Sequence, residues 1–156
     1  MKKCTDHDCP RLSLERRTLL KAGVAGSALL ALPLACNNTV SPPSGPVGAG
    51  NVSTIAVNTM RAVPGEAVIL GRDAGGLYAM SAACTHAGCM VSVVDLPSVE
   101  ELYCPCHGSL FDANGGVKRG PAGLPLQHYQ VEVAADGTIT VQGGMPVSAE
   151  TRTPVA

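Results

Sequence analysis

Apolar positions are distributed along this chain in three ways. Residues 22–35 form a run without a charged side chain, residues 37–50 (NNTVSPPSGPVGAG) show neither charge nor apolar periodicity, and from residue 51 onward apolar residues come in short runs or alternate with polar ones. Each pattern predicts a different backbone. The first, at 14 residues, has the length of the apolar segment of an export signal and falls short of the about 20 residues that cross a bilayer. The second, with three prolines and three glycines, predicts a flexible linker that would reach roughly 45 Å when fully extended.

The third pattern predicts strands. Residues 52–58 alternate weakly, 67–71 and 77–82 are brief apolar runs, and 128–134 alternate Tyr129, Val131 and Val133 against polar neighbours. A period of two marks half-buried strands, and short unbroken apolar runs suit strands buried on both faces. Asp136-Gly137 then predicts a turn into a partner strand over 138–142. No stretch after residue 36 carries a long amphipathic helical pattern. The expected fold class is all-β, with a core domain at 51–143 and a tail at 144–156. There is no internal repeat and no phosphate-binding glycine loop.

Charge changes this picture once the first segment is set aside. Residues 1–35 hold six of the 11 basic and three of the 12 acidic side chains, leaving five against nine and a net charge of −4. A mildly acidic domain suits a basic protein partner and argues against nucleic acid. With no Trp, one Phe and three Tyr, the core is modest, and so small a domain needs cross-links or a metal centre to hold it.

The N-terminus adds an address. Arg16-Arg17-Thr18-Leu19-Leu20-Lys21, ahead of the apolar run, resembles a twin-arginine signal, although Glu15 replaces the usual Ser or Thr and Leu19 the commoner Phe. That route carries folded proteins, which suits a cofactor inserted before export. Leu32-Pro33-Leu34-Ala35-Cys36 resembles a bacterial lipobox with Pro33 in the place of Leu. Residues 1–36 are therefore expected to be a twin-arginine lipoprotein signal, Cys36 to be lipidated, and the domain to sit at the periplasmic, outer face of the cytoplasmic membrane. Cleavage near Ala49, or retention of the segment as an anchor or a core helix, are the alternatives. Removal at Cys36 would discard Cys4 and Cys9, leaving no stray thiol in the mature chain. Cys4, His7 and Cys9 read as part of an irregular signal rather than a metal site.

The densest chemistry lies in two clusters, Cys84-Thr85-His86-Ala87-Gly88-Cys89 and Cys104-Pro105-Cys106-His107-Gly108-Ser109. Cys84, His86, Cys104 and His107 form a Cys2His2 set, which also serves structural zinc. A zinc ribbon has no use for a second cysteine in each loop. The pattern resembles the Rieske family of iron-sulfur proteins. That resemblance implies one 2Fe-2S cluster per chain, with one iron held by Cys84 and Cys104 and the other by His86 and His107. It further implies a disulfide between Cys89 and Cys106, hence an oxidising compartment. Gly120-Pro121-Ala122 matches the proline turn that covers the cluster, and the 17 residues between His86 and Cys104 fit the family. The implied fold is a base of antiparallel sheets with residues 84–123 inserted as a cluster-binding lobe.

Tuning follows from the same resemblance. Neutral imidazoles in place of two thiolates raise the potential into a range of roughly −150 to +300 mV. Ser109 stands where a hydroxyl donates to a cluster sulfide, whereas Phe111 replaces a tyrosine that donates to a cysteine sulfur. Ala87 replaces a leucine beside the exposed histidine. His128 is expected at the surface or a sheet edge, and Lys118 and Arg119 as a solvated pair. The expected function is electron transfer from a quinol-oxidising complex with a membrane cytochrome b-type subunit to a c-type cytochrome. A small Rieske subunit of an exported molybdenum oxidoreductase, as in arsenite oxidase, is the alternative; a non-redox metal-binding module is the third reading. The export signal and the extra cysteines disfavour a cytosolic oxygenase ferredoxin. No active site independent of a complex is identifiable.

Overall fold

The computed structural model describes residues 39–96 and 99–155. The signal readings on Arg16-Arg17, on Cys4, His7 and Cys9, and on Cys36 lie outside the described residues. Among those described, no helix is long and apolar enough to cross a membrane.

Ten strands are described. β1 (Pro46–Asn51), β2 (Thr59–Ala62), β3 (Val68–Asp73) and β4 (Gly76–Ser81) precede the first cysteine motif, and β5 (Ser92–Leu96), β6 (Val99–Tyr103), β7 (Leu110–Phe111) and β8 (Val117–Arg119) surround the second. β9 (His128–Val133) and β10 (Thr138–Val147) close the chain. The base is one six-stranded sheet in the order β1-β10-β9-β4-β3-β2, and the lobe inserted between β4 and β9 is a four-stranded sheet in the order β5-β6-β7-β8. All pairings are antiparallel. The fold is thus all-β with an inserted lobe, as the sequence predicts.

The apolar runs of β3 and β4 follow from their central position. Val68, Leu70, Leu77 and Ala79 enter one core with Val47, Val131, Ile139 and Val141, whereas Ile69, Tyr78 and Met80 enter a second core shared with the lobe. A strand buried on both faces has no use for polar alternation. In the second core Leu102 and Phe111 are fully buried, each contributing roughly 1.5–3 kcal/mol relative to exposure. β9 and β10 form the predicted hairpin, turned at Asp136-Gly137, where the Asp136 carboxylate accepts the Thr138 N–H at 2.9 Å.

Three predicted boundaries need correction. The segment 37–50 is not a linker over its described part. Thr39 bridges Cys89, the Val40 N–H donates to the Gly88 carbonyl at 2.7 Å, and Pro46–Asn51 is β1, paired with β10. Prolines and glycines hide the fact that Val47 and Ala49 alternate inward, and an edge strand tolerates Pro46. Residues 52–58 are not a strand. Val52–Thr54 is a single 3-10 turn capped by Asn51, whose side chain accepts the Ser53 N–H at 3.0 Å and donates to the Asp136 carbonyl at 2.9 Å. Such Asn, Ser and Thr groups bond local backbone in preference to a ladder. Residues 144–156 are not a free tail, because β10 continues to Val147 and Leu77 and Thr153 exchange backbone bonds of 2.9 and 2.8 Å.

Candidate metal centre

The two cysteine motifs fold as copies of one frame. In the first loop the Cys84 N–H donates to the Cys89 carbonyl at 2.9 Å and the Gly88 N–H to the Cys84 carbonyl at 2.8 Å. In the second the Cys104 N–H donates to the Ser109 carbonyl at 2.9 Å and the Gly108 N–H to the Cys104 carbonyl at 3.0 Å. A glycine four residues after each cysteine makes this possible. Gly88 and Gly108 adopt φ of 71° and 79°, a region that a Cβ disfavours. Each loop is therefore shaped by its own backbone before any ligand is considered.

The donors that these loops present divide by exposure. Cys84 and Cys104 are 3% and 1% exposed, unpaired as disulfides, and packed in the core with Met60, Met80, Leu102, Phe111 and Leu126. Burial first, then the neighbouring Cys84 thiol, pushes the Cys104 thiol up from its ordinary value. His86 and His107 are exposed. Their rings meet edge-on, with centroids 4.7 Å apart and planes at 82°. Cys89 and Cys106 form a disulfide that joins the loops across 17 residues of sequence, the pairing the resemblance implies.

This donor set fits a two-iron cluster. Among the described residues no three His, Cys, Asp or Glu side chains gather at one ion's position; the four candidates fall instead into a sulfur pair and an imidazole pair. Two irons that share bridging sulfides ask each for two protein donors. A buried thiol resists ionisation until a cation draws off the proton.

A third segment braces the loops. Ser109, wholly buried, accepts the Ala122 N–H at 3.0 Å through its hydroxyl oxygen, and the Thr85 hydroxyl donates to the Leu124 carbonyl at 2.6 Å. Immediately before Ala122 stands Gly120-Pro121, whose peptide bond is cis. Accepting from Ala122 leaves the Ser109 hydroxyl proton able to point elsewhere. Phe111 is buried and offers no hydroxyl. Ala87 is exposed beside His86.

Two sequence expectations are corrected here. His128 is not a surface residue; it is 2% exposed, stacks on Tyr78 with centroids 6.2 Å apart, and bonds the Asn114 carbonyl through Nε2 at 2.9 Å. Alternation misplaces it because the face of β9 opposite Tyr129 is covered by the lobe. Lys118 and Arg119 are not simply solvated. Lys118 pairs with Glu101, and Arg119 donates to the Gly108 carbonyl through Nε and Nη2 at 3.3 and 3.2 Å. The sequence reading also misses Thr85 and Arg152. Arg152 lies 4.2 Å over the Tyr78 ring and bonds Asp73 at 2.5 Å and Asn114 at 2.9 Å, tying base to lobe. Only the repeated Cys-x-x-x-Gly spacing signalled the shared loop frame. An open groove of about 920 Å³, bordered by Asn51, Arg72, Asp136 and Val155, holds none of the donors.

Comparison with known proteins places these features in a lineage. The Rieske 2Fe-2S domain model matches residues 47–130. Cytochrome b6-f complex iron-sulfur subunits are similar in sequence: that of Chlorobaculum thiosulfatiphilum is 39% identical over 74 residues, covering 47% of this chain and 40% of the relative. That of a Synechococcus species is 40% identical over 86 residues, covering 55% of this chain and 47% of the relative. The matched part thus spans less than half of each relative's length. Among solved structures, the plasma-membrane Rieske protein of Synechocystis is 29% identical, with a TM-score of 0.48, covering 62% of this chain and 98% of that one. The cofactor of such a domain is a 2Fe-2S cluster. The match extends over more than half of the sequence and takes in both cysteine loops, and on that ground the chain belongs to the Rieske 2Fe-2S domain family.

Proposed function

We propose that this protein is a one-electron carrier of a quinol-oxidising membrane chain, receiving electrons at a cytochrome b-type partner and passing them to a c-type cytochrome. In this reading Cys84 and Cys104 hold one iron, and His86 and His107 the other. The observation that carries it is the split in exposure, with both thiols inside the core and both imidazoles at the surface. When bound, the cluster supplies a one-electron couple whose potential is raised by its two neutral ligands.

The rest is work for the chain. Met60, Met80, Leu102, Phe111 and Leu126 keep water from the thiol side, and the Cys89–Cys106 disulfide holds the two loops together on the outside. Ser109 offers a hydroxyl from a position fixed by Ala122. Each exposed imidazole has a second ring nitrogen besides the one that would bind iron, so proton transfer from a quinol would use the same face as electron transfer. Quinol oxidation needs both. Similarity to b6-f iron-sulfur subunits supports this over the molybdenum-enzyme alternative.

Location follows from the N-terminal motifs. Arg16-Arg17 directs twin-arginine export, and lipid on Cys36 anchors the domain at the outer face of the cytoplasmic membrane. The test is direct. Holoprotein from its native host should contain two irons and two acid-labile sulfides per chain, with a Rieske-type paramagnetic signal on reduction, and its membranes should lose quinol-dependent cytochrome c reduction in Cys84→Ser. Stoichiometric zinc without iron would overturn the reading.

A further inference from the structure

In each of the two loops the glycine carbonyl, of Gly88 and of Gly108, is capped from outside the loop, and the two caps differ. The Gly108 carbonyl accepts the Arg119 guanidinium, supplied by the lobe's own β8. The Gly88 carbonyl accepts the Val40 N–H at 2.7 Å, supplied by the segment that precedes the base sheet, and Thr39 bridges Cys89 beside it. Equivalent positions thus receive a cap from the lobe itself in one loop and a borrowed cap in the other.

The borrowed cap sits on a weakly held segment. Residues 39–45 contain no buried side chain. Their backbone bonds outside the strands lie at the two ends, Val40 to Gly88 and Gly143 to Gly45, the latter at 3.0 Å. Between these points run Ser41, Pro42, Pro43 and Ser44, which reach no core. Segments with few buried contacts and exposed hydrogen bonds open at low free energy.

We infer that residues 39–45 form a detachable strap whose Val40 amide positions the first ligand loop, as Arg119 positions the second. The inference rests on the reading of these loops as cluster ligands, but its first readout does not require that reading. The strap enters from the side of residue 36, three residues before Thr39. Docked, with Thr39 bridged to Cys89, it leaves three residues, about 10 Å of extended chain, between residue 36 and the first loop. Peeled back to Pro46, ten residues reach roughly 35 Å. Detachment therefore lengthens the reach of the domain and loosens the loop that carries His86 in one movement. The loop that carries His107 keeps its own Arg119 cap.

Crossed substitutions test this in full-length holoprotein by hydrogen–deuterium exchange, with peptides covering residues 82–90 and 102–110. Val40→Pro removes the amide donor and should raise exchange in the first loop about two- to tenfold, the value of one hydrogen bond, leaving the second unchanged. Arg119→Gln should do the reverse, and Arg119→Lys should restore part of the protection. Gly143→Ala serves if Val40→Pro does not fold. A Cβ at Gly143 would lie 2.6 Å from Pro43 and 2.8 Å from the Gly45 carbonyl, so it pushes off the far end of the strap and should raise exchange across 39–45 and then in the first loop. Voltammetry supplies a readout that a merely structural role would not move. The midpoint potential should shift in Val40→Pro and hold its wild-type value in Val40→Ala, which keeps the amide. Equal responses of both loops to either substitution, or solvent-limited exchange at Val40 in the wild type, would overturn the strap. Zinc in place of iron would overturn only the reading beneath it.

Discussion

Ser109 and Ala122 are joined by a 3.0 Å hydrogen bond in which a wholly buried hydroxyl oxygen accepts a buried peptide N–H. The bond fixes the hydroxyl oxygen and leaves its proton free to be donated to another acceptor. Ser109→Ala removes that donor and strands the Ala122 N–H, so the midpoint potential should fall. A hydrogen bond's net worth of about 0.5–1.5 kcal/mol corresponds to roughly 20–60 mV for a one-electron couple. Phe111→Tyr should move the potential upward by a similar amount. Voltammetry checks both, and two unmoved potentials would remove Ser109 and Phe111 from the tuning set.

The disulfide predicts a different failure. Cys89 is buried and Cys106 exposed, so the bond closes the loops from the outside while Cys89 stays packed. Cys89→Ser should cost roughly 3 kcal/mol for a loop of this length and make the cluster labile in air. Loss of visible absorbance over time measures it. A variant as durable as wild type would show that the loop hydrogen bonds suffice alone.

Acid should weaken the junction of base and lobe through His128. Burial, first, holds its pKa below the ordinary 6.5; Arg152 adds to the depression, and the Asn114 carbonyl, Glu150 and Asp112 oppose it. Nδ1 is buried without a partner while Nε2 faces the Asn114 carbonyl, which suits the neutral ring. The folded form therefore binds fewer protons than the unfolded one. Its stability is complete above pH 6.5 and falls as pH drops below that value, by up to about 1.4 kcal/mol per pH unit. Denaturant titrations between neutral and mildly acid pH should show this slope, and His128→Gln should flatten it. An equal slope in both proteins would assign the acid sensitivity elsewhere.

Attachment is tested at Cys36. The acyl chains of a mature lipoprotein suffice for stable binding where one chain does not, so the wild type should fractionate with membranes. Cys36→Ala should be released in soluble form or remain unprocessed. Firm membrane binding of a correctly exported Cys36→Ala protein with a free N-terminus would exclude the lipid.

The two cysteine loops were legible because their pattern is local. Cys84, His86, Cys104 and His107 stand at fixed short spacings, and a glycine four residues after each cysteine closes the turn. The Asp136-Gly137 hairpin was legible for the same reason. What escaped depends on partners distant in sequence. β1 looks like linker because β10, some ninety residues later, supplies its bonds. His128 looks exposed because the lobe that covers it is not part of its own alternation. Arg152 carries no signal in a terminal segment until Tyr78, Asp73 and Asn114 are brought around it.

The two-faced burial of β3 and β4 gives residue parity a meaning. On β3 the odd Ile69 belongs to the redox half of the molecule and the even Val68 and Leu70 to its foundation; on β4 the assignment reverses, with even Tyr78 and Met80 on the redox half. Neighbours one peptide apart thus answer to different demands. One parity packs the foundation and the other the surroundings of the cysteine loops.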